Sequence, residues 1–318
     1  MSLGEFDIIQ RYFKTPERND VIAGIGDDGA VLQPPPGHEL VIVTDTLVSG
    51  VHFDDALTPF DIAYKAMAVN LSDLAAMAAK PAWASLALTL PDADACWLSE
   101  FSRGLYHIAE AYSVVLVGGD TTQGPLTVTV SLIGFVEQGK ALYRSGAQVG
   151  DRIYVTGTLG DAALALQLQR SAAVPNCPDS LFKRLAQPTP RVQAGRVLQG
   201  YVSAAIDLSD GLVADLRRVV DSSGVGAEVS LQGLPLSNDY LQYADPESLW
   251  EPAISGGDDY ELCFTVPVKH IDKVERALKE VSCPYACIGA ISAEKGMRLF
   301  DGQQLYMPRR SGYVHFEE

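Results

Sequence analysis

The sequence predicts a two-domain protein of mixed strands and helices, α/β or α+β in class. Three observations carry this: strand-type and helix-type segments alternate in both halves, the alternation restarts after a turn-rich stretch at residues 144–151, and 318 residues are more than one small core needs. The restart sets the expected boundary, with residues 1–143 as an N-terminal domain and 144–318 as a C-terminal one.

The first half opens with a helical segment at residues 4–13. The β-branched runs Val21-Ile22-Ala23-Gly24-Ile25 and Leu40-Val41-Ile42-Val43 then read as strands. A helix is expected over residues 59–79, opened by Thr58 as N-cap with Pro59 in the first position. Strand 82–90, helix 94–112 and strands 114–117 and 127–135 complete this half. The second half reads as strand 153–155, helix 161–169, a helix after Pro190, strand 204–206, helix 212–221, strand 262–266, helix 271–281 and late strands. Pro34-Pro35-Pro36-Gly37 is a loop.

Composition excludes several classes. Apolar residues are 47% and charged residues 20%, the balance of a globular chain with a large core. Forty acidic against 24 basic residues give a net charge of −16, which repels phosphate backbones and argues against nucleic-acid partners. The longest apolar stretches, such as residues 82–90, fall far short of the roughly 18–20 residues that span a bilayer. The start of the chain lacks the basic and apolar regions of a secretory signal, so a cytoplasmic location is expected. Cys96, Cys177, Cys263, Cys283 and Cys287 show no C-x-x-C spacing, which suggests neither a disulfide scaffold nor a zinc site. Residues 134–141 approximate a P-loop, but Ala141 replaces the metal-binding hydroxyl, Glu137 sits where phosphates would, and no helix pattern follows. No G-x-S-x-G or H-E-x-x-H motif occurs.

What stands out is acid placed where apolar runs stop. Gly24-Ile25-Gly26-Asp27-Asp28-Gly29, Thr44-Asp45-Thr46, Gly118-Gly119-Asp120-Thr121-Thr122, Asp207-Leu208-Ser209-Asp210-Gly211 and Gly256-Gly257-Asp258-Asp259-Tyr260 all fit this description. One such segment is an ordinary turn. Five of them point to a metal-phosphate site, because hard cations take carboxylate and hydroxyl oxygens and glycines let phosphate approach the backbone. Asp73 adds a separate argument: it lies in a helix otherwise almost wholly apolar, with Lys65 the only other charge between Ile62 and Ala79. A buried carboxylate there needs a cation, metal or hydrogen-bond donor, and Asn70 shares its face. His52 follows Thr44-Asp45-Thr46 in a loop, and Arg144 is a candidate phosphate clamp because guanidinium matches phosphate geometry.

In order and spacing these segments, with His52-Phe53, Tyr64-Lys65-Ala66, Asn70-Leu71-Ser72-Asp73 and Tyr260-Glu261-Leu262, closely resemble the thiamine-monophosphate kinase family. The likeness runs from Gly4-Glu5-Phe6 to Gly312-Tyr313-Val314-His315-Phe316. It implies the two-domain PurM-like fold of the aminoimidazole-ribonucleotide synthetase superfamily, with an N-terminal α/β domain that binds ATP and forms a homodimer and a C-terminal α/β domain. It implies the reaction of ATP with thiamine phosphate to give ADP and thiamine diphosphate. By that likeness Asp28, Thr44, Asp45, Asp73, Asp120, Asp207 and Asp210, with a backbone oxygen near Val43, would hold several Mg²⁺ ions. Gly119, Asp120, Arg144 and Ser209 would contact ATP, and His52, Asp258 and Tyr313 would line the thiamine phosphate site. The family often has Glu where this chain has the shorter Asp258. An aromatic contact for the thiamine rings falls to Tyr313, Phe53 or Trp250.

The chemistry expected is in-line attack of a phosphate oxygen on the γ-phosphorus with no covalent enzyme intermediate, since an ionised phosphate needs positioning and charge neutralisation more than a base. Two other readings compete. One is another ATP-using enzyme of the superfamily, of the aminoimidazole-ribonucleotide or selenophosphate synthetase type; a selenophosphate enzyme would carry a reactive Cys near its start, and the first here is Cys96. The other is a non-catalytic acidic metal- or nucleotide-binding protein.

Overall fold

The computed structural model of the chain describes residues 4–13, 18–171 and 177–315. Residues 1–3 and Phe316 therefore lie outside the described residues. Two compact units divide the chain: Met1–Leu74 with Ala79–Gly139, and Ala75–Ala78 with Lys140–Glu318.

The first unit runs α1 (Glu5–Tyr12), β1 (Val21–Ala23), β2 (Val31–Leu32), β3 (His38–Val48), α2 (Pro59–Ala76), β4 (Lys80–Leu90), α3 (Ala95–Ala111), β5 (Val115–Gln123) and β6 (Thr127–Glu137). β1 and β2 form an antiparallel pair, and the larger sheet has the order β3-β6-β4-β5, antiparallel except for β4 beside β5. α2 begins as the sequence predicts. The Thr58 hydroxyl accepts the Asp61 N–H at 3.2 Å while Asp61 accepts the Thr58 N–H at 3.2 Å, a reciprocal capping box. Asp94 caps α3 by accepting from Cys96 and Trp97 at 2.7 and 2.8 Å. The two helices pack closely because α3 offers Gly104, where a Cβ would lie 2.2 Å from the Phe60 carbonyl oxygen. Alternation along β6 buries Val128, Val130, Leu132 and Val136 on one face. Leu71 and Leu74 of α2 and Phe101 and Leu105 of α3 are buried too. Each such side chain contributes roughly 1.5–3 kcal/mol of apolar burial.

The second unit runs β7 (Arg152–Thr156), α4 (Asp161–Arg170), α5 (Asp179–Ala186), α6 (Val192–Leu198), β8 (Ala204–Asp207), α7 (Leu212–Ser223), β9 (Gly226–Ser230), α8 (Asn238–Tyr243), α9 (Glu251–Ser255), β10 (Leu262–Val266), α10 (Ile271–Glu280), β11 (Tyr285–Ser292), β12 (Gly296–Asp301) and β13 (Gln304–Tyr306). Its seven-stranded sheet has the order β13-β12-β9-β11-β7-β10-β8. β7, β8 and β10 are apolar runs because both of their faces are covered, and Ile153, Val155, Ile206 and Cys263 join Leu216 and Val220 of α7 in one core. β9, α5, α8 and α9 have no counterpart in the sequence reading; they are too short to show a clear period and are held by their packing more than by their own pattern.

Two expectations change here. β3 extends to Val48 and β5 to Gln123, so Asp45 and Asp120 stand inside strands and not where strands stop. In both cases neighbouring strands supply hydrogen-bond partners through the polar segment, and the ladder overrides the low strand propensity of Asp45, Gly118, Gly119 and Asp120.

Candidate active site

In the first unit a cleft of about 910 Å³ is walled by Phe6, Ile9 and Phe13 on one side and by the 24–30 loop and β5 on the other. Asp27, Asp28 and Asp120 line it, all exposed. Gly26, at φ 113°, turns the loop, and the Asp28 N–H donates to the Asp27 carboxylate at 2.9 Å, which fixes the acidic pair. Gly119 sits at φ 155°, where a Cβ would lie 1.8 Å from the Leu86 carbonyl oxygen, so only glycine allows β5 to run this close to β4 before Asp120.

On β3 the Thr44 hydroxyl meets Ser131 and the Thr46 hydroxyl meets Thr129, both at 2.9 Å. Strand alternation puts Val43 and Asp45 on the opposite face. The register carries Asp45 through Val130 and Leu86 to Gly119, so Asp45 and Asp120 belong to opposite edges of the sheet, roughly 14 Å apart at three strand spacings. His52 is set in the turn after β3: its Nδ1 accepts the Val48 N–H at 3.0 Å, which leaves the ring proton on Nε2. The expectation of a buried Asp73 is corrected, because Asp73 is half-buried while Lys65 and Asn70 on the same helix are fully enclosed. Asn70 turns its amide back to the Ala66 carbonyl at 3.0 Å.

In the second unit the remaining candidates gather at one end of the sheet. β8 ends at Asp207, which pairs with Leu262 at the start of β10, so the loops beside them lie together. They are zipped by backbone bonds: Leu208 N–H to the Glu261 carbonyl at 2.8 Å, Tyr260 N–H to the Leu208 carbonyl at 2.9 Å, and Asp258 N–H to the Ser209 carbonyl at 2.9 Å. The C-terminal segment joins them, with the Tyr313 N–H on the Asp210 carbonyl at 3.0 Å. Asp207, Ser209, Asp210, Asp258 and Tyr313 are thus brought together. Arg144 is exposed in a loop tied beside β8 by the Ala205 N–H to the Tyr143 carbonyl at 2.9 Å; two further N–H groups, of Gly146 and Ala147, donate to the Ser223 hydroxyl at 3.1 Å.

Several supporting residues escaped the sequence reading. Asp215, fully buried, accepts the N–H groups of Asp210 and Gly211 at 3.0 and 3.2 Å and pairs with Arg218, which also pairs with Asp210. Burial, with the nearby Asp207 charge, pushes the Asp215 carboxyl up to about 7. The signal was its place in the first turn of α7, where a carboxylate meets free N–H groups. Glu261, 0% exposed, receives Arg184 at 2.7 Å, both nitrogens of the Arg191 fork at 2.6 and 2.7 Å, and the Thr156 hydroxyl at 2.6 Å. Asp259 beside it accepts the Gly160 N–H at 2.8 Å, and burial drives its carboxyl well above the ordinary carboxylate value. On either side of Asp259, Asp258 and Tyr260 sit at φ 63° and 50°, which costs roughly 1–3 kcal/mol each.

Among the described residues no three His, Cys, Asp or Glu side chains gather closely enough to hold a metal ion by themselves. The donors are nonetheless all oxygen: carboxylates singly or in pairs, with threonine and serine hydroxyls nearby. That set fits Mg²⁺ arriving with a nucleotide, because Mg²⁺ takes one or two carboxylates and fills its shell with water and phosphate oxygens.

The family models for AIR synthase related proteins match this chain twice, the N-terminal domain at residues 26–136 and the C-terminal domain at residues 148–302. A thiamine-monophosphate kinase of Haemophilus influenzae is 46% identical over 326 residues, covering 100% of this chain and 99% of its own. The crystal structure of thiamine-monophosphate kinase from Stenotrophomonas maltophilia superposes with a TM-score of 0.85 at 44% identity, covering 89% of this chain and 92% of that one. A structure of AaThiL complexed with AMPPCP and TMP superposes with a TM-score of 0.78 at 32% identity, covering 99% and 97%. With both domains matched and likeness over the full length, the chain belongs to the thiamine-monophosphate kinase family of AIR synthase related proteins.

Proposed function

We propose that this chain transfers the γ-phosphoryl group of ATP to thiamine phosphate, giving ADP and thiamine diphosphate. The observation that carries the reading is full-length identity of 46% to a thiamine-monophosphate kinase, together with a relative whose complex holds AMPPCP and TMP. The local chemistry agrees. An acidic cleft beside a glycine-only backbone approach suits a metal-borne polyphosphate, and Arg144 is exposed and anchored from both sides.

The residues divide by role. Gly119, Asp120, Arg144 and Ser209 bind ATP. Asp28, Thr44, Asp45, Asp73, Asp120, Asp207 and Asp210, with the Val43 carbonyl, hold Mg²⁺, which when bound neutralises phosphate charge. His52, Asp258 and Tyr313 take thiamine phosphate. Of the three aromatic candidates for its rings, Phe53 is buried and Trp250 donates to Asp301 at 3.2 Å, whereas Tyr313 is 44% exposed beside Asp210. The nucleophile is a phosphate oxygen already ionised near neutral pH. The side chains therefore position and neutralise it, and no covalent enzyme intermediate forms.

The protein acts as a cytoplasmic homodimer in this reading. β3 is an edge strand that presents Leu40 (49% exposed) and Ile42 (65% exposed) on one face, an apolar stripe suited to a second copy. No described helix is long and apolar enough to cross a membrane, and all five cysteines are free, as a reducing compartment requires.

Purified protein supplied with ATP, MgCl₂ and thiamine phosphate should form thiamine diphosphate, resolved by chromatography. Asp73→Asn and Asp45→Asn should each lower turnover at least 100-fold with an unchanged thermal midpoint. Near-normal turnover in both would remove the metal assignment, and no thiamine diphosphate from the wild type would remove the function.

A further inference from the structure

We propose that Glu261, clamped by Arg184 and Arg191, is a positioning residue that holds the Gly257–Tyr260 turn in the shape that presents Asp258 to thiamine phosphate. The inference rests on the placement of Asp258 in that substrate site. Its physical basis is a contrast between the turn and its base. Gly257, Asp258 and Tyr260 all have left-handed backbones, and two of the three carry side chains that disfavour it. Such a turn relaxes unless its ends are fixed.

Its C-terminal end is fixed at Glu261. Four charge-assisted or hydroxyl hydrogen bonds of 2.6–2.7 Å converge on this carboxylate, from Thr156 on β7, Arg184 on α5 and Arg191 just before α6. The fit leaves no slack, since a Cβ on Gly157 would lie 2.0 Å from Glu261 Oε1. The Glu261 carbonyl then takes the Leu208 N–H, which carries the constraint into the Asp207–Gly211 loop. Arg184 also donates to the Asp259 carbonyl at 3.3 Å, so the same guanidinium holds two points of the turn. The network sits under the segment in which Asp258 and Tyr260 hold left-handed backbones.

Glu261→Gln keeps the shape and removes the charge. Arg191→Lys keeps the charge and removes the fork, and it carries the same comparison where Glu261→Gln does not fold. In either variant, amide hydrogen exchange of the peptide spanning residues 256–262 should quicken at least tenfold, under conditions where global unfolding is negligible. The KM for thiamine phosphate should rise at least tenfold while the KM for ATP stays within twofold. Unchanged exchange in that peptide overturns the proposal, as does a parallel rise in both KM values. Asp258→Asn tests the underlying substrate assignment separately: a wild-type KM for thiamine phosphate in that variant refutes the assignment, and the exchange rates alone then decide whether Glu261 holds the turn.

Discussion

Replacing Gly119 with alanine is the sharpest test of how β5 is built. The added Cβ would stand 1.8 Å from the Leu86 carbonyl oxygen and 2.7 Å from its carbon, against a floor near 3.0 Å for real contacts. The obstacle is backbone of β4, a strand bonded to β5 on one side and β6 on the other, so no side-chain rotation relieves it. β5 must lift away, which disturbs the pairings from Leu86↔Gly119 to Leu90↔Gln123. Losing several ladder hydrogen bonds at about 0.5–1.5 kcal/mol each gives a destabilisation of about 2–4 kcal/mol. For a domain of this size that is a fall in thermal midpoint of about 4–16 °C. Gly118→Ala is the matched control, because its Cβ meets nothing within 4 Å. Differential scanning calorimetry of the two variants decides the matter. Equal midpoints for Gly118→Ala and Gly119→Ala, or a wild-type midpoint for Gly119→Ala, would refute the close-approach argument.

Further expectations follow from the same contacts. The Asp215 carboxyl is raised from 3.8 to about 7 in the folded protein, so its contribution to stability is fully present below about pH 4 and is lost as pH rises towards 7. The urea midpoint of the wild type should therefore fall relative to that of Asp215→Asn over this interval, and parallel curves would contradict the shift. Ile42→Glu should convert a dimer to monomer in light scattering with an unchanged circular dichroism spectrum, since Ile42 is exposed within the protomer. Thr58→Ala should lower stability by about 1 kcal/mol through loss of the α2 capping box, read by urea denaturation.

The legible part of the fold was the part written in local pattern. Helix α2 announced itself by Thr58, Pro59 and an apolar run, because caps and burial are decided within a few residues. The ends of β3 and β5 were not legible. Asp45, Gly118, Gly119 and Asp120 are poor strand formers, and what keeps them extended is the partner strand, which lies more than eighty residues away for β3. Most of the candidate acids stood out as a set because glycine flanks them, as at Asp28, Asp120, Asp210 and Asp258. Their spatial grouping did not, since only the register shows Asp45 and Asp120 on opposite sheet edges.

That separation sharpens what the acids can do. A compact trio of carboxylates would repel itself and hold a cation without substrate. Here Asp28 and Asp120 share a cleft, Asp45 belongs to another edge, and Asp207 and Asp210 belong to the second unit. Arg218 already neutralises Asp210 in part, and Asp215 caps the same loop. Within the first unit the acids stand on separate elements and the register keeps Asp45 an edge away from Asp120, so the oxygens that complete a metal shell in the cleft come from the ligand. A polyphosphate supplies them. The arrangement therefore favours metal bound with nucleotide over metal bound alone, and calorimetric titration with MgCl₂ should show much weaker binding without a non-hydrolysable ATP analogue than with one. Equally tight binding in its absence would mean that the carboxylates converge without the nucleotide, against the register of the sheet.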